Sequence, residues 1–497
     1  MIRSLILVLL ASALVSAQPQ PQKADDPPKR PAPPGKDPPA STSDFRALTV
    51  SPAPVAVPAL KYELLPRLRD RKPGNAAMDY HRAYLLRPSW PRDPQEAVKL
   101  NETIMAWEGT PTDKLPLADV KRYLAGHAQS FRALDAAALA DRCDWDLANK
   151  LSVNNIEPLL TEVQTFRELV RFQHLRIRVY LAENEFDAAV RAIQAGIRLG
   201  KDVAEGPTLI HSLVGIAIVE VSLGSLQQLI QRPDSPNMYW ALTTLPRPVV
   251  DPRMSFEGET RLFDNLFPNA KVLEKGPVSP ERANAVLEEM LTAFNSMGKP
   301  DDGKVRLGGL ELAGMVALQA PAARKQLVAL GWPVAMVEKM PATQVVALRA
   351  ITVYRTISDD QVKCFSLPYP EALAEIAKLN ERVEKLKKEA GDPIVSSFAL
   401  NVRAFEKVFS AHARVNRRIA MMRAVEAVRL HAAANEGKLP KTLADVKLVP
   451  VPEDPYTLKP FEYVVTGDKF TLTALPPAGE EPHVVNCMKY EVTLRAK

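Results

Sequence analysis

Cysteine is scarce. Cys143, Cys364 and Cys487 are the three in 497 residues, and they lie far apart. That spacing builds neither a metal knuckle nor a dense disulfide framework; at most one bridge forms, and which two would join stays open. Aromatic residues make up 6% of the chain. Charge of one sign is not in large excess either, since 64 basic and 58 acidic residues are interspersed and leave a net charge of +6. A mildly basic chain of this kind lacks the clustered cationic footprint of a nucleic-acid binder, so no nucleic acid is expected as a partner. The short motifs with a known mechanism are missing too. No Gly-rich phosphate loop, HExxH helix, CxxC pair, GxSxG elbow or complete EF-hand loop occurs. No cofactor is therefore expected and no catalytic residue can be named, although a site assembled from distant segments stays open.

What the chain does have is apolar mass in helical rhythm. With 46% hydrophobic and 25% charged residues, it can bury sizeable cores in two or three units. At the start, Arg3 supplies a positive region, residues 5–15 an apolar run, and Val15, Ser16 and Ala17 the small residues of a cleavage site. Residues 1–17 therefore read as a secretory signal peptide cut after Ala17, and the mature chain as periplasmic or extracellular. No cysteine follows to carry a lipid. Residues 18–58 hold twelve prolines, from Pro19 to Pro58. A segment so short of amide donors is expected to be a disordered, extended linker.

From residue 59 the pattern turns helical. Asp93-Pro94, Ser235-Pro236 and Ser279-Pro280 put a capping side chain before a proline at a helix start, and Gly109, Gly206, Gly298, Gly331, Gly391 and Gly437 stand where helices would stop. Residues 59–250 read as a helical-hairpin domain, with helices over 162–183, 185–204 and 207–231 joined by turns short enough to force antiparallel neighbours. The last of these is apolar on every side of a helical wheel, and it reads as a central helix enclosed by the rest. It is not expected to span a membrane, because His211 and Glu220 interrupt it and its densest part is about half the ~20 residues a bilayer needs. Burying an ionised Glu220 alone is prohibitive, so a structural pair with Arg171, Arg176 or Arg178 of the neighbouring hairpin is expected.

Residues 251–436 read as a second helical region, entered through a proline-broken, loop-rich passage at 246–277. It ends in a long amphipathic helix over 395–435. Arg403, Lys407, Arg414 and Arg418 fall on the polar face of that helix, where a solvated stripe is the plain reading and a site for an anionic partner the sharper one. Asp141, Asp144 and Asp146 could hold a hard cation if their loop curled round it. The glycine and distal glutamate of a calcium loop are missing there, so no metal is expected. The histidines, among them His81, His127, His174 and His211, show no ligand spacing. Residues 437–497 change character. FEYVV, KFTLTAL and HVVNCMKYEVTL read as strands of a small antiparallel sheet.

Some of these residues carry family resemblances. Tyr180, Phe186, Ala189 and Gly196 match positions of one tetratricopeptide repeat, while Gln173, Ile177 and Lys201 depart from it; this resemblance implies helical-hairpin packing and no peptide-binding residues. The order long helix, GKLP, short helix, DPY at 454–456, PFEY at 460–463 and hairpin resembles the C-terminal half of type II secretion pseudopilins, without the apolar assembly helix of that family. Together with NAAMDYHRAYLL and VEKMPATQVVALRAITVYR, the chain resembles a group of large exported bacterial helical proteins. That resemblance implies export and helical architecture.

The fold expected is mainly α, with antiparallel helical hairpins of tetratricopeptide-like, solenoid or bundle type and a small C-terminal antiparallel β-sheet. The function expected is that of an exported, non-catalytic helical scaffold or partner-binding protein of the bacterial envelope, its partner another envelope protein and its mature chain free of a membrane span. The alternative is an extracytoplasmic, hydrolase-like enzyme.

Overall fold

The computed structural model describes residues 43–146, 157–297, 309–390 and 393–495. The expected signal peptide and residues 18–42 lie outside them. The described residues are mainly helical, with a small sheet near the C-terminus. In chain order the helices are α1 (Ala76–Leu85), α2 (Pro94–Gly109), α3 (Leu117–Ala125), α4 (Ala128–Leu139), α5 (Glu157–Ala182), α6 (Phe186–Ala204), α7 (Leu209–Ile230) and α8 (Tyr239–Thr243). They continue with α9 (Arg253–Leu266), α10 (Ala270–Glu274), α11 (Pro280–Met297), α12 (Gly309–Ala329), α13 (Val334–Glu338), α14 (Ala342–Cys364), α15 (Tyr369–Ala390) and α16 (Pro393–Ala434). The strands are β1 (Asp44–Val50), β2 (Lys72–Asn75), β3 (Ala140–Arg142), β4 (Glu462–Thr466), β5 (Lys469–Ala474) and β6 (Met488–Leu494).

The sheet is mixed, not antiparallel as expected. Its order is β1-β6-β5-β4. β6 pairs antiparallel with β5, and β1 adds to its other edge in parallel, with Asp44 opposite Met488 and Val50 opposite Leu494. Residues 44–50 therefore do not belong to a disordered linker, and Ala53 beyond them is buried too. The prolines of this segment stop at Pro39 and resume at Pro52, which leaves DFRALTV with every backbone donor a strand needs. Alternation along β5 and β6 turns Phe470, Leu472, Tyr490 and Val492 to one buried face, the period of two that a half-covered sheet requires. That face meets Ile193, Ile197 and Leu223 of α6 and α7 and Met421, Met422 and Val425 of α16 in one apolar core. The segments 59–250, 251–436 and 437–497, expected to be separate units, thus all contribute to that core. A second core gathers Phe263, Leu287, Leu327, Leu348 and Ile351 from α9 to α14. The passage at 246–277, expected to be loop-rich, contains α9 and α10.

The helices α5, α6 and α7 run antiparallel as the short connections require. Asn184, in the left-handed conformation at φ 59°, makes the first turn. Gln173, which stands where the tetratricopeptide pattern has tryptophan, is buried and donates through Nε2 to the Ala192 carbonyl at 2.7 Å. α7 is not enclosed on all sides. Leu213, Ala217, Glu220, Val221, Gly224 and Gln228 recur every three or four residues as an incompletely covered stripe, and Val221 is 39% exposed. An enclosed stretch of helix lies instead in α16, where every residue from 417 to 430 is buried.

The α6–α7 contact is made by small residues. A Cβ added to Gly215 would lie 2.4 Å from the Gly200 carbonyl oxygen and 2.5 Å from Ala204 Cβ, positions no relaxed side chain occupies. Overpacking so tight an interface costs about 1–3 kcal/mol or more. At Gly224, on the open stripe of the same helix, a Cβ would have only Arg418 Nη2 nearby, at 3.7 Å. Gly215→Ala should therefore lower the urea midpoint clearly, whereas Gly224→Ala should leave it unchanged or raise stability by up to about 1 kcal/mol through helix propensity. Equal midpoints for the two variants would contradict the close approach of α6 and α7.

Candidate functional site

Because α16 is buried from residue 417 to residue 430, the charged residues of that stretch must find partners inside the protein. Arg417 is fully buried. Its Nε and Nη2 bond the two carboxylate oxygens of Asp454 at 2.9 and 2.5 Å, and further donors reach the carbonyls of Leu475 and Asn486. This clamp fixes the loop ahead of β4 against the helix, and the guanidinium lies 4.1 Å from the centre of the Tyr456 ring. About three helical turns further on, Arg429 pairs with Glu426 at 2.7 Å and bonds Ser51 O, Ser235 O and Ser235 Oγ. The Glu426 carboxylate also accepts from the amide of Met238 at 2.6 Å. Both pairs have the full set of hydrogen bonds that makes a buried ion pair tolerable.

Arg418 answers the question posed by Glu220. It is 3% exposed, and its Nη1 bonds the Glu220 carboxylate and, at 3.1 Å, the Glu220 carbonyl. The pairing expected with Arg171, Arg176 or Arg178 is not formed. Arg171 binds Glu108 at 2.7 Å, Arg176 binds Asp135 at 2.8 Å, and Arg178 reaches the carbonyls of Trp107, Glu108 and Thr110. α5 is adjacent to α7, but the C-terminal end of α2 offers Arg171 a carboxylate and Arg178 unsatisfied carbonyls, and α4 offers Arg176 Asp135, while Glu220 opens onto α16. The expected basic stripe on α16 is broken for the same reason. Lys407 is exposed, Arg414 half-buried and Arg418 buried; the side chain of Arg403 lies outside the described ones. Asp141 and Asp144 do not converge on a cation. Asp141 accepts from Gly74 N and braces its loop against β2, whereas Asp144 accepts from Asp146 N within the loop itself. Among the described residues no group of three His, Cys, Asp or Glu side chains is placed to hold a metal.

Near Arg417, where the loop at 450–458 crosses α16, lies a cavity of about 530 Å³. Its walls come from the chain after α8 (Leu245 to Pro248), the turn between α14 and α15 (Phe365, Leu367, Tyr369), α16 (Phe409, His412, Asn416, Ile419, Arg423) and the loop itself (Pro450, Pro452, Tyr456). Prolines and aromatics make these walls stiff. Tyr369 and Tyr456 stack with ring centres 3.9 Å apart, and burial pushes the Tyr369 hydroxyl up to about 12 and that of Tyr456 well above its usual value. Asn416 is held by accepting from Val249 N at 3.3 Å and donating to the His412 carbonyl at 3.2 Å. Burial pushes His412 down to about 4, only partly offset by Asp251. A second cavity, of about 240 Å³, contains Asp141, Cys143, Arg198, Lys201, Asp202 and Glu205. Its acids Asp202 and Glu205 are already paired, with Arg198 and Lys201.

The sequence pattern did not bring these cavity residues together. A signal was present in MMRAVEAVRLH at 421–431, where Arg423, Glu426 and Arg429 interrupt an apolar run at intervals of three; charges so placed point to a helix whose polar face meets protein rather than water. No family model, no curated protein and no solved structure matches this chain.

Two predictions concern this region. Removing one member of a buried pair leaves the other uncompensated, at about 3–5 kcal/mol. Asp454→Ala should therefore destabilise more than Glu220→Ala, because Asp454 is 2% exposed and Glu220 21%; the reverse order in thermal melts would contradict the clamp. The second is pH dependence. His412 has its folded pKa, about 4, below its ordinary 6.5, so acid protonates the unfolded chain first. Its contribution is fully present above about pH 6.5 and is lost as the pH falls through about 4. His412→Gln should make the stability difference between pH 7.5 and 5 smaller, by on the order of 1–2 kcal/mol. An unchanged difference in urea titrations would show that His412 is not desolvated.

Proposed function

We propose that this chain is an exported, non-catalytic binding protein of the bacterial envelope, and that the cavity between α16 and the loop at 450–458 is its recognition site. The observation that carries this reading is the cavity's form. It has the volume of a small-molecule site, a few hundred to a thousand Å³, and combines stiff apolar walls with a few fixed polar groups. Capture of a small ligand is therefore placed ahead of docking another envelope protein along a hairpin. Binding is preferred to turnover because His412, the imidazole on the wall, is held neutral with its pKa pushed down to about 4, whereas a general base works best poised near neutrality. The carboxylate beside it on the wall, Glu453, is exposed. Export rests on the positive, apolar and small-residue regions of residues 1–17.

The test is to recover the protein from the envelope fraction, determine its N-terminus and identify bound molecules by native mass spectrometry. A terminus near Gln18 and a small molecule released unchanged are expected. Ala420→Phe, which places a ring in the cavity wall, should abolish that binding, with circular dichroism and the thermal midpoint checking that the variant still folds. Retention of an intact Met1 would overturn export. Chemical conversion of the ligand would overturn the non-catalytic reading, and a bound envelope protein indifferent to Ala420→Phe would move recognition elsewhere.

A further inference from the structure

Four arginines of α16 are buried: Arg417, Arg418, Arg423 and Arg429. Three of them have a carboxylate within bonding distance, in Asp454, Glu220 and Glu426. Arg423 does not. It is 8% exposed, donates through Nε to Thr243 Oγ1 at 3.1 Å and lies 5.5 Å from the centre of the Tyr239 ring, and no carboxylate pairs with it among the described residues. Both neighbours are neutral. Arg423 lines the cavity, and so does Arg247, whose charge acts on it and is of the same sign. Burial first, and Arg247 second, hold Arg423 below the usual arginine value. The remaining charges near the cavity do not neutralise this end. Asp251 is bonded to Arg253, Asp454 to Arg417, and Glu453 is exposed at the rim. Removing a guanidinium from water without a counter-charge is costly, and a second cation alongside raises that cost. Arg178 is also buried with no carboxylate paired to it among the described residues, but three backbone carbonyls accept from it. A helix that pairs three of its four buried arginines and leaves the fourth facing an opening has left a position for an anion from outside.

The rest of the cavity says what that anion is attached to. Beyond the two guanidiniums the walls are mostly apolar, from Leu242, Leu245, Phe365, Phe409, Ile419 and prolines, with His412 and Asn416 among them and Glu453 exposed. Resting on the cavity being a binding site, we propose that its ligand is a small amphipathic acid. A single carboxylate or phosphate headgroup is held by Arg423 and Arg247, and its apolar body lies along α16 against the proline and aromatic walls. Arg423, fixed by Thr243 and Tyr239, positions the headgroup; exposed Arg247 adds attraction at the entrance.

The experiment is calorimetric titration of the full chain with dodecanoate, dodecyl phosphate, dodecanol and dodecyltrimethylammonium, each below its micelle threshold. At least one of the two anions should bind about tenfold or more tighter than the alcohol, a conservative figure for one charge-assisted contact, and the cation should bind weakest. A clear preference between the two anions identifies the headgroup. Arg247→Glu, at an exposed position, should reduce anion affinity about tenfold with a thermal midpoint unchanged or raised, and leave dodecanol unaffected. Arg423→Gln should erase the anion preference; if it does not fold, Arg247→Glu carries the test. Alcohol binding as tight as that of both anions, or anion affinity indifferent to Arg247→Glu, would overturn the acid while leaving the cavity a binding site. If no probe binds, or if binding survives Ala420→Phe, the cavity reading itself fails.

Discussion

The structure depends on how α16 accommodates its arginines. A helix buried from residue 417 to residue 430 would ordinarily be all apolar, yet this one carries Arg417, Arg418, Arg423, Glu426 and Arg429 inside. Each satisfied guanidinium recruits a different part of the chain. Arg417 takes the loop before β4, Arg418 takes α7, and Arg429 takes the segment after β1 together with the approach to α8. The guanidinium fork has five donors in fixed directions, so these contacts specify position as well as proximity. They set where the apolar surfaces of the sheet and of α6 and α7 come to rest against the helix. The hydrophobic core supplies the driving force, and the arginines decide the arrangement.

The local parts of this fold were legible. The expected helices over 185–204, 207–231 and 395–435 agree with α6, α7 and α16 to within a few residues, because periodicity and capping are local properties. The departures come from partners distant in the chain. Glu220 read correctly as a carboxylate needing a cation, but its neighbours in sequence, Arg171, Arg176 and Arg178, were claimed by α2 and α4, and its partner came from 198 residues away. Arg418 was placed on a solvated face for the converse reason, since an amphipathic pattern separates polar from apolar sides without saying whether the polar side meets water or a second protein layer. β1 was hidden in a proline-rich stretch because the edge it completes belongs to the other end of the chain. The cavity was hidden more deeply still. Its walls come from four separate segments, and its distinguishing feature is a missing counter-charge, which no local pattern encodes.

The three paired arginines and the one without a carboxylate also differ in their surroundings. Asp454 and Glu220 sit on elements that pack directly on α16 and Glu426 on α16 itself, whereas the wall near Arg423 is formed by the Pro246–Pro248 stretch and by Pro450 and Pro452, which bring rigidity and, in Glu453, an acid that is exposed. Stiff walls resist collapse onto the helix, so the space beside the guanidinium persists without a bound molecule. The same residues that keep the space open also keep it uncompensated.

The parallel pairing of β1 with β6 has a consequence for how the protein comes into being. Ser51 and Arg495, just beyond the two strands, are 444 residues apart in sequence and lie within 3.4 Å of each other. Closing a loop of that size is entropically slow compared with forming any helical hairpin between them. During synthesis β1 emerges first and has no strand to join until almost all the rest has been made; until then Leu48 and Val50 have no core to enter. The helical body must take shape around a missing sheet, and the sheet is completed only when both ends of this sequence are present together. The fold is thus fastened last at the point where it begins.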